Sequence, residues 1–216
     1  LPVFSRFVHY SMIKVFHLAL LISGYKGSFV SYPGPRPSSL ATFISHRTAF
    51  FDEVIKEALI RPDNPARQFV VLGAGFDTRC YGLPEGADVK CFEVDMAPTL
   101  NAKLEGLKSA GIAHDHVIFV ETDFNQQAWF DALVEAGFDT SLTTFVLWEG
   151  VTMYLNEDAV LHTLKLAARL PTGSEIAFDY FSGELINQEP PYEKLGARMM
   201  KSAMKFYEEE LQYGIS

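Results

Sequence analysis

From Gln68 onward, short β-rich runs alternate with stretches of helical character. This alternation is typical of β-α-β units, which build a mostly parallel sheet with helices on both faces. The sequence therefore predicts an α/β fold. The predicted strands cover residues 68–72, 88–94, 116–121, 143–148 and 174–181, and the predicted helices cover residues 97–110, 125–136, 157–169 and about 192–212. Asn156 is expected to cap the helix that begins at Glu157.

The residues before the first strand have a different pattern. Apolar side chains at mixed three- and four-residue spacing predict a helix over residues 4–23, and a second helix is expected from residue 38 or 39 to about residue 60. Three prolines within residues 31–37 prevent a continuous helix and indicate an exposed loop. We therefore expect an N-terminal helical cap with a proline-rich loop at residues 1–62, and a single α/β core at residues 63–216.

Composition limits the partners and the location. The formal net charge of −9 argues against a nucleic-acid partner, because that affinity depends on clustered Lys and Arg. The apolar stretch at residues 15–22 is well short of the roughly 20 residues that span a bilayer, so we expect no membrane segment. Two cysteines, Cys80 and Cys91, are too few for a disulfide scaffold and indicate a cytoplasmic protein. We see no metal-ligand spacing and expect no metal.

The strongest local signal is the run FVVLGAGFDTR at residues 69–79, a buried strand that enters a glycine-rich turn. Gly73 and Gly75 allow the backbone to approach a ligand at the edge where open α/β sheets bind them. The next strand ends in CFEVD, which puts Glu93 and Asp95 18 and 20 residues after Gly75. A carboxylate about 20 residues beyond such a turn typically accepts hydrogen bonds from ribose hydroxyls. Both side chains lie on one side of the strand, which leaves open which of them contacts the ribose.

The turn also discriminates between cofactors. Thr78 stands where the dinucleotide fingerprint has its third glycine. Asp77 would repel a pyrophosphate at this turn, but not an amino group or a cationic sulfonium. The sequence therefore favours S-adenosylmethionine, and a NAD(P)-dependent oxidoreductase is the less favoured alternative.

Two further carboxylates follow predicted strands. Asp123 could accept a hydrogen bond from the exocyclic amine of adenine, with Phe124 beside the ring, or it could instead cap the next helix. Glu149 closes an apolar strand and precedes Gly150. A carboxylate in such a position must be solvated or paired, which marks it as a candidate for ligand binding.

Four runs in this order resemble the motifs of the leucine carboxyl methyltransferase family: VVLGAGFDTR, FEVD, TDF and WEGVTMYL. That family includes enzymes that esterify the C-terminal leucine of a phosphatase catalytic subunit, and many bacterial and fungal O-methyltransferases of secondary metabolism. The resemblance covers residues 40–216. It implies a Rossmann-like class I methyltransferase with extra N-terminal helices, which uses S-adenosyl-L-methionine to methylate a carboxylate or hydroxyl of a small metabolite or a protein C terminus.

The resemblance also implies roles for individual side chains. Arg47 would pair with the methionyl carboxylate, the glycine turn would contact the methionyl part, and Glu149 would hold the amino group. Asp95, with Glu93 as a second candidate, would hold the ribose, and Asp123 with Phe124 the adenine. The full predicted cofactor-binding set is Arg47, Gly73, Ala74, Gly75, Asp77, Glu93, Asp95, Asp123, Phe124 and Glu149.

The acceptor side is less constrained. A carboxylate acceptor is ionised at neutral pH and needs no base, whereas a hydroxyl acceptor needs one, for which Tyr154, Tyr180 or His46 could serve. The family sheet normally closes with a further helix and an antiparallel strand pair, yet only 35 residues follow Phe181. The chain is therefore expected to be a fragment or to lack its tail, with Tyr213-Gly214-Ile215 as the start of the closing region. A non-catalytic S-adenosylmethionine-binding module is a second alternative, and substrate identity and oligomeric state are left open.

Overall fold

The computed structural model describes residues 40–124, 129–187 and 211–215. The helix predicted over residues 4–23, the proline-rich loop and nearly all of the predicted C-terminal helix lie outside these ranges. The chain divides between Asp52 and Glu53 into two units, and the sheet belongs to the second one. The division predicted between residues 62 and 63 stays a prediction.

Five parallel strands form the sheet. They are β1 (Gln68–Leu72), β2 (Lys90–Asp95), β3 (Val117–Glu121), β4 (Thr144–Trp148) and β5 (Glu175–Phe178). Their spatial order is β3-β2-β1-β4-β5, and every neighbouring pair is parallel. The predicted strands are confirmed within two residues at each end, except that β5 ends three residues earlier than predicted. All residues of β1 and β4 are buried, as expected of central strands covered on both faces.

Four of the five described helices lie where the sequence patterns predict them, and the short helix α5 was not predicted. They are α1 (Leu40–Ile60), α2 (Ala97–Ala110), α3 (Trp129–Glu135), α4 (Glu157–Ala167) and α5 (Gly183–Asn187), with 3-10 turns at Arg79–Tyr81 and Thr152–Tyr154. The predicted bounds of α2 are confirmed. The helix begins and ends there because Pro98 fits its first turn and Gly111 ends it in a left-handed conformation. Asn156 caps α4 as predicted, since its side chain accepts the backbone N–H of Ala159 at 2.9 Å. The start predicted for α3, at residue 125, falls outside the described residues.

Apolar side chains of the strands and of two helices form the core of the second unit. Trp129 and Leu133 of α3 and Val160 of α4 pack with the buried residues of β1, β2 and β4. Among the described helices, none is long and apolar enough to cross a membrane.

The strand order creates a crevice at one position. The chain moves outward from β1 through β2 and β3, and then returns to place β4 on the opposite side of β1. Where the direction reverses, right-handed crossovers take the connections after β1 and β4 to opposite faces of the sheet. Open α/β sheets bind their ligands in the gap between two such loops, outside the carboxyl ends of the strands.

Candidate binding site at the carboxyl edge of the sheet

The turn after β1 contains two glycines with positive φ, 66° at Gly73 and 43° at Gly75. The backbone N–H groups of Gly73 and Ala74 donate to the carbonyl oxygen of Val94 on β2, at 2.8 and 3.1 Å. A Cβ atom on Gly73 would clash with Cγ2 of Val151, which belongs to the loop after β4. Beside Gly75, the nearest such atom is the carbonyl oxygen of Gly73, at 3.9 Å. Gly73 is therefore required by packing, whereas Gly75 leaves an open surface.

Asp95 closes β2 and lies against this turn. Its Oδ2 accepts the backbone N–H of Gly75 at 2.7 Å, and its Oδ1 accepts the backbone N–H of Met96 at 2.7 Å. The residue is 9% exposed. A carboxylate oxygen can accept two hydrogen bonds. The backbone therefore fixes the orientation of this carboxylate and leaves each of its oxygens with acceptor capacity.

Glu93, two residues earlier on β2, is fully buried. Nζ of Lys103, on α2, lies 2.6 Å from its Oε2, and the hydroxyl of Tyr81 donates to the same oxygen at 3.1 Å. Burial raises the pKa of Glu93, and the contacts with Lys103 and Tyr81 offset part of that rise. The structure thus separates the two candidates for the ribose: Asp95 lies at the edge of the sheet, and Glu93 is bound to Lys103 behind it.

Arg79 connects the turn after β1 with the end of β4. Its Nη1 donates to Oδ2 of Asp77 and, at 2.7 Å, to Oε2 of Glu149. Its backbone N–H donates to Oδ1 of Asp77 at 2.7 Å. The three side chains are only 12 to 16% exposed. Asp77 therefore receives donors from Arg79 on both oxygens, a pairing that the sequence analysis did not predict although Arg79 stands in the quoted motif.

The loop after β4 is held by Asp179, which directly follows β5. The backbone N–H of Gly150 donates to Oδ1 of Asp179 at 2.6 Å, and the hydroxyl of Thr152 donates to its carbonyl oxygen at 2.6 Å. Val151, between these two anchored residues, lies over Gly73. Asp179 is a second residue that the sequence analysis missed, because the predicted strand extended to residue 181 and placed Asp179 inside it.

The remaining predicted residues are less closely connected to this turn. Asp123 and Phe124 follow β3 and are half-buried, and the backbone N–H of Thr122 donates to the carbonyl oxygen of Asp95 at 3.0 Å. The alternative role of Asp123 as a helix cap involves residues outside the described ranges. Arg47 and His46 lie on α1, in the unit before Glu53, and the predicted contact of Arg47 with a ligand stays a prediction. Of the base candidates in the second unit, Tyr154 is half-buried and Tyr180 is 50% exposed.

The described side chains at this edge carry a surplus of negative charge. Asp77, Asp95 and Glu149 are carboxylates, and Arg79 is the cation that contacts two of them. Such a surface favours a ligand that carries positive groups and hydroxyls over one that carries a pyrophosphate. Within the described part of the chain, no three His, Cys, Asp or Glu side chains are arranged to hold a metal ion.

Comparison with known proteins identifies the family of this chain. The model of the leucine carboxyl methyltransferase family matches residues 5–168. A Bacillus subtilis protein named "Putative S-adenosyl-L-methionine-dependent methyltransferase YktD" is 35% identical over 137 residues, which cover 62% of this chain and 44% of that protein. A Mycolicibacterium vanbaalenii protein with the same general description is 32% identical over 167 residues, which cover 77% of this chain and 53% of that protein. The chain thus spans about half the length of the curated relatives it matches.

The structural comparison confirms the predicted fold. A crystal structure of a "putative methyltransferase" from Thermobifida fusca YX aligns with a TM-score of 0.56 at 14% identity, and the match covers 80% of this chain and 62% of that one. The cofactor named for the two sequence relatives is the one that the glycine turn favours. The ordered motifs, the parallel sheet and the matched family model agree, and the chain belongs to the leucine carboxyl methyltransferase family.

Proposed function

We propose that this chain binds S-adenosyl-L-methionine at the carboxyl edge of its sheet, as the cofactor-binding part of a methyltransferase. The observation that carries the proposal is the orientation of Asp95. Two backbone N–H groups fix its carboxylate beside the glycine turn, and both of its oxygens keep acceptor capacity. A carboxylate held in this way suits the two neighbouring hydroxyls of a ribose.

The residues of the edge fit the other parts of this cofactor. At this edge, the proposal assigns the ammonium group to Glu149 and the adenine to Asp123 and Phe124. Asp77 and Glu149 both contact the guanidinium of Arg79, so these three described side chains together carry a net negative charge. That charge supports a cofactor with an ammonium and a sulfonium over a dinucleotide, whose pyrophosphate it would repel.

When bound, the cofactor supplies an electrophilic methyl group on its sulfonium. The task of the chain is to hold the cofactor and the acceptor in line, with the reacting atoms about 3 to 3.5 Å apart. We propose an oxygen acceptor, on a small metabolite or a protein C terminus. An ionised carboxylate needs no base, and for a hydroxyl the proposal assigns the base to Tyr154 or Tyr180.

Calorimetric titration with S-adenosylmethionine and S-adenosylhomocysteine tests the cofactor. We expect micromolar binding by the chain and a loss of about a hundredfold in Asp95→Ala, because charge-assisted hydrogen bonds to both ribose hydroxyls disappear. Asp88→Ala is the matched control, since the side chain of Asp88 is 82% exposed and lies before β2 at the opposite edge. Absent binding by the folded chain would contradict the proposal, and binding of a nicotinamide dinucleotide instead would favour the oxidoreductase alternative.

Turnover tests the O-methyltransferase part separately. The chain is incubated with the cofactor and with candidate acids, alcohols and C-terminal peptides, and S-adenosylhomocysteine is measured. Cofactor binding without turnover on any acceptor, in a chain extended to the length of its relatives, would favour a non-catalytic binding module.

A further inference from the structure

Arg79 donates to two carboxylates, Asp77 in the turn after β1 and Glu149 directly after β4. We propose that Arg79 is a positioning residue: it holds the Glu149 carboxylate in the orientation that receives the ammonium group of the cofactor. This inference rests on the proposed function, and it assigns Arg79 a role that acts through Glu149.

The first argument is the way in which Arg79 is itself fixed. Asp77 accepts both the backbone N–H and the guanidinium of Arg79, two residues further along the chain. These two bonds form a closed ring within the turn, which limits the rotation of the arginine side chain. The same Nη1 then reaches Glu149, 70 residues away in sequence, at 2.7 Å. The orientation of the turn after β1 is thereby transmitted to a side chain at the end of β4.

The second argument is electrostatic. Asp77 and Glu149 are only 15 and 12% exposed at their side chains, so solvent screens their mutual repulsion poorly. One guanidinium between them removes that repulsion. Arg79 carries one positive charge and contacts two carboxylates. These three side chains together therefore still attract a cation. Without Arg79, we expect Glu149 to turn away from Asp77 and to lose the orientation that an ammonium group requires.

A purely structural role for Arg79 makes a different prediction. If the arginine only braced the turn, its removal would weaken every ligand that uses the turn and Asp95. If it positions Glu149, its removal weakens only ligands that carry an amino group. Two related compounds separate these outcomes. S-adenosylhomocysteine has the amino acid part, and 5′-methylthioadenosine has the same nucleoside and thioether without it.

The experiment is calorimetric titration of both compounds into the whole chain and into Arg79→Gln, with Arg67→Gln as the matched control. Arg67 forms an exposed ion pair with Asp88 before β1 and β2, away from the crevice. We expect Arg79→Gln to weaken S-adenosylhomocysteine about 10- to 100-fold, the usual effect of losing a hydrogen bond to a charged group. Binding of 5′-methylthioadenosine should change less than about twofold, and Arg67→Gln should change neither constant.

Two further variants strengthen the test. Glu149→Gln should reproduce the selective loss, and the double variant should lose little more than either single one, because both changes remove the same interaction. Arg79→Lys keeps the charge without the planar guanidinium and should fall between wild type and Arg79→Gln; it also serves if Arg79→Gln does not fold. Equal loss of both compounds, or no loss of either, would overturn the inference. If the wild-type chain binds neither compound, the proposed function itself is contradicted.

Discussion

The two edges of the sheet use the same arginine–carboxylate chemistry in different environments. At the amino edge, Arg61 pairs with Glu175 and Arg67 pairs with Asp88, and these side chains are 27 to 82% exposed. At the carboxyl edge, Arg79 pairs with two carboxylates, and none of the three side chains exceeds 16% exposure. In these pairs, each arginine of the amino edge contacts one carboxylate, whereas Arg79 at the carboxyl edge contacts two.

The difference indicates which ion pairs can contribute to the binding of a charged ligand. Exposed pairs of one cation and one anion contribute about 0 to 1 kcal/mol to folding stability, because water and salt screen their charges. Such pairs leave little net charge that could attract a ligand. Shielded, unbalanced groups keep a local potential that a charged ligand can use. The imbalance, together with low exposure, supports the proposal that the ligand binds at the carboxyl edge.

The buried ion pair behind the carboxyl edge should give the largest effect. Lys103→Met leaves Glu93 buried without its cation, and we expect a loss of about 3 to 5 kcal/mol in the free energy of unfolding at neutral pH. Burial already raises the pKa of Glu93 above its usual value of 4.5, and removal of Lys103 raises it further. Folding therefore favours the protonated form, and the penalty of the variant is lost as the pH falls through the raised pKa towards that usual value.

Urea unfolding at neutral and at mildly acidic pH measures this effect. The double variant Glu93→Gln/Lys103→Met is the control, because it removes the uncompensated charge and should be more stable at neutral pH than Lys103→Met alone. An equal penalty at both pH values would show that lost packing, rather than charge, dominates.

A methyl group at Gly73 should give the next largest effect. Gly73→Ala places a Cβ atom against Val151, in a backbone conformation with φ of 66°, and we expect a loss of about 1 to 3 kcal/mol in stability. Thermal unfolding measures the loss. Val151→Ala in the same chain should recover the part that is due to the clash, because Cγ2 of Val151 is the atom that the new methyl group meets. No recovery would assign the whole effect to backbone strain.

Asp179 tests how strongly the loop after β4 depends on its anchor. Asp179→Ala leaves the backbone N–H of Gly150 without this acceptor, and we expect a loss of about 1 kcal/mol in the free energy of unfolding. Asp179→Asn keeps an acceptor oxygen and should lose less. Chemical unfolding of both variants gives the comparison, and equal losses would mean that charge, rather than the hydrogen bond, is what the loop requires.

The amino edge should give the smallest effect. Arg67→Ala removes an exposed pair with Asp88, and we expect a change of less than about 1 kcal/mol in stability. Unfolding at low and high salt measures it, with the small difference vanishing at high salt. A loss as large as that of Lys103→Met would refute the contrast between the two edges.

Much of the fold could be predicted because local signals mark its elements. The bounds of α2 follow from Pro98 and Gly111, and the cap of α4 follows from Asn156. The end of β5 could not be placed as well, since Tyr180 and Phe181 resemble strand residues, whereas Asp179 lies outside the strand and binds the loop after β4.

The site was predictable only where its residues are local in sequence. The glycine turn and the carboxylate at position 95 follow from spacing. The alternation of β2 could not choose between Glu93 and Asp95, because that choice depends on depth in the sheet and on Lys103. The pairing of Arg79 with Glu149 spans 70 residues and depends on the strand order, which no single motif contains.

The hydrogen bonds between Ile215 and the residues after β5 have a consequence for protein engineering. The backbone of Ile215 exchanges hydrogen bonds with Phe181 and Gly183, each at 2.9 Å, so the two ends of the intervening stretch are clamped together. Once the ends of a segment are joined, lengthening it costs little entropy, about 0.6 kcal/mol for each doubling. The entropy of loop closure should therefore oppose only weakly a tag or a foreign recognition peptide inserted between these ends.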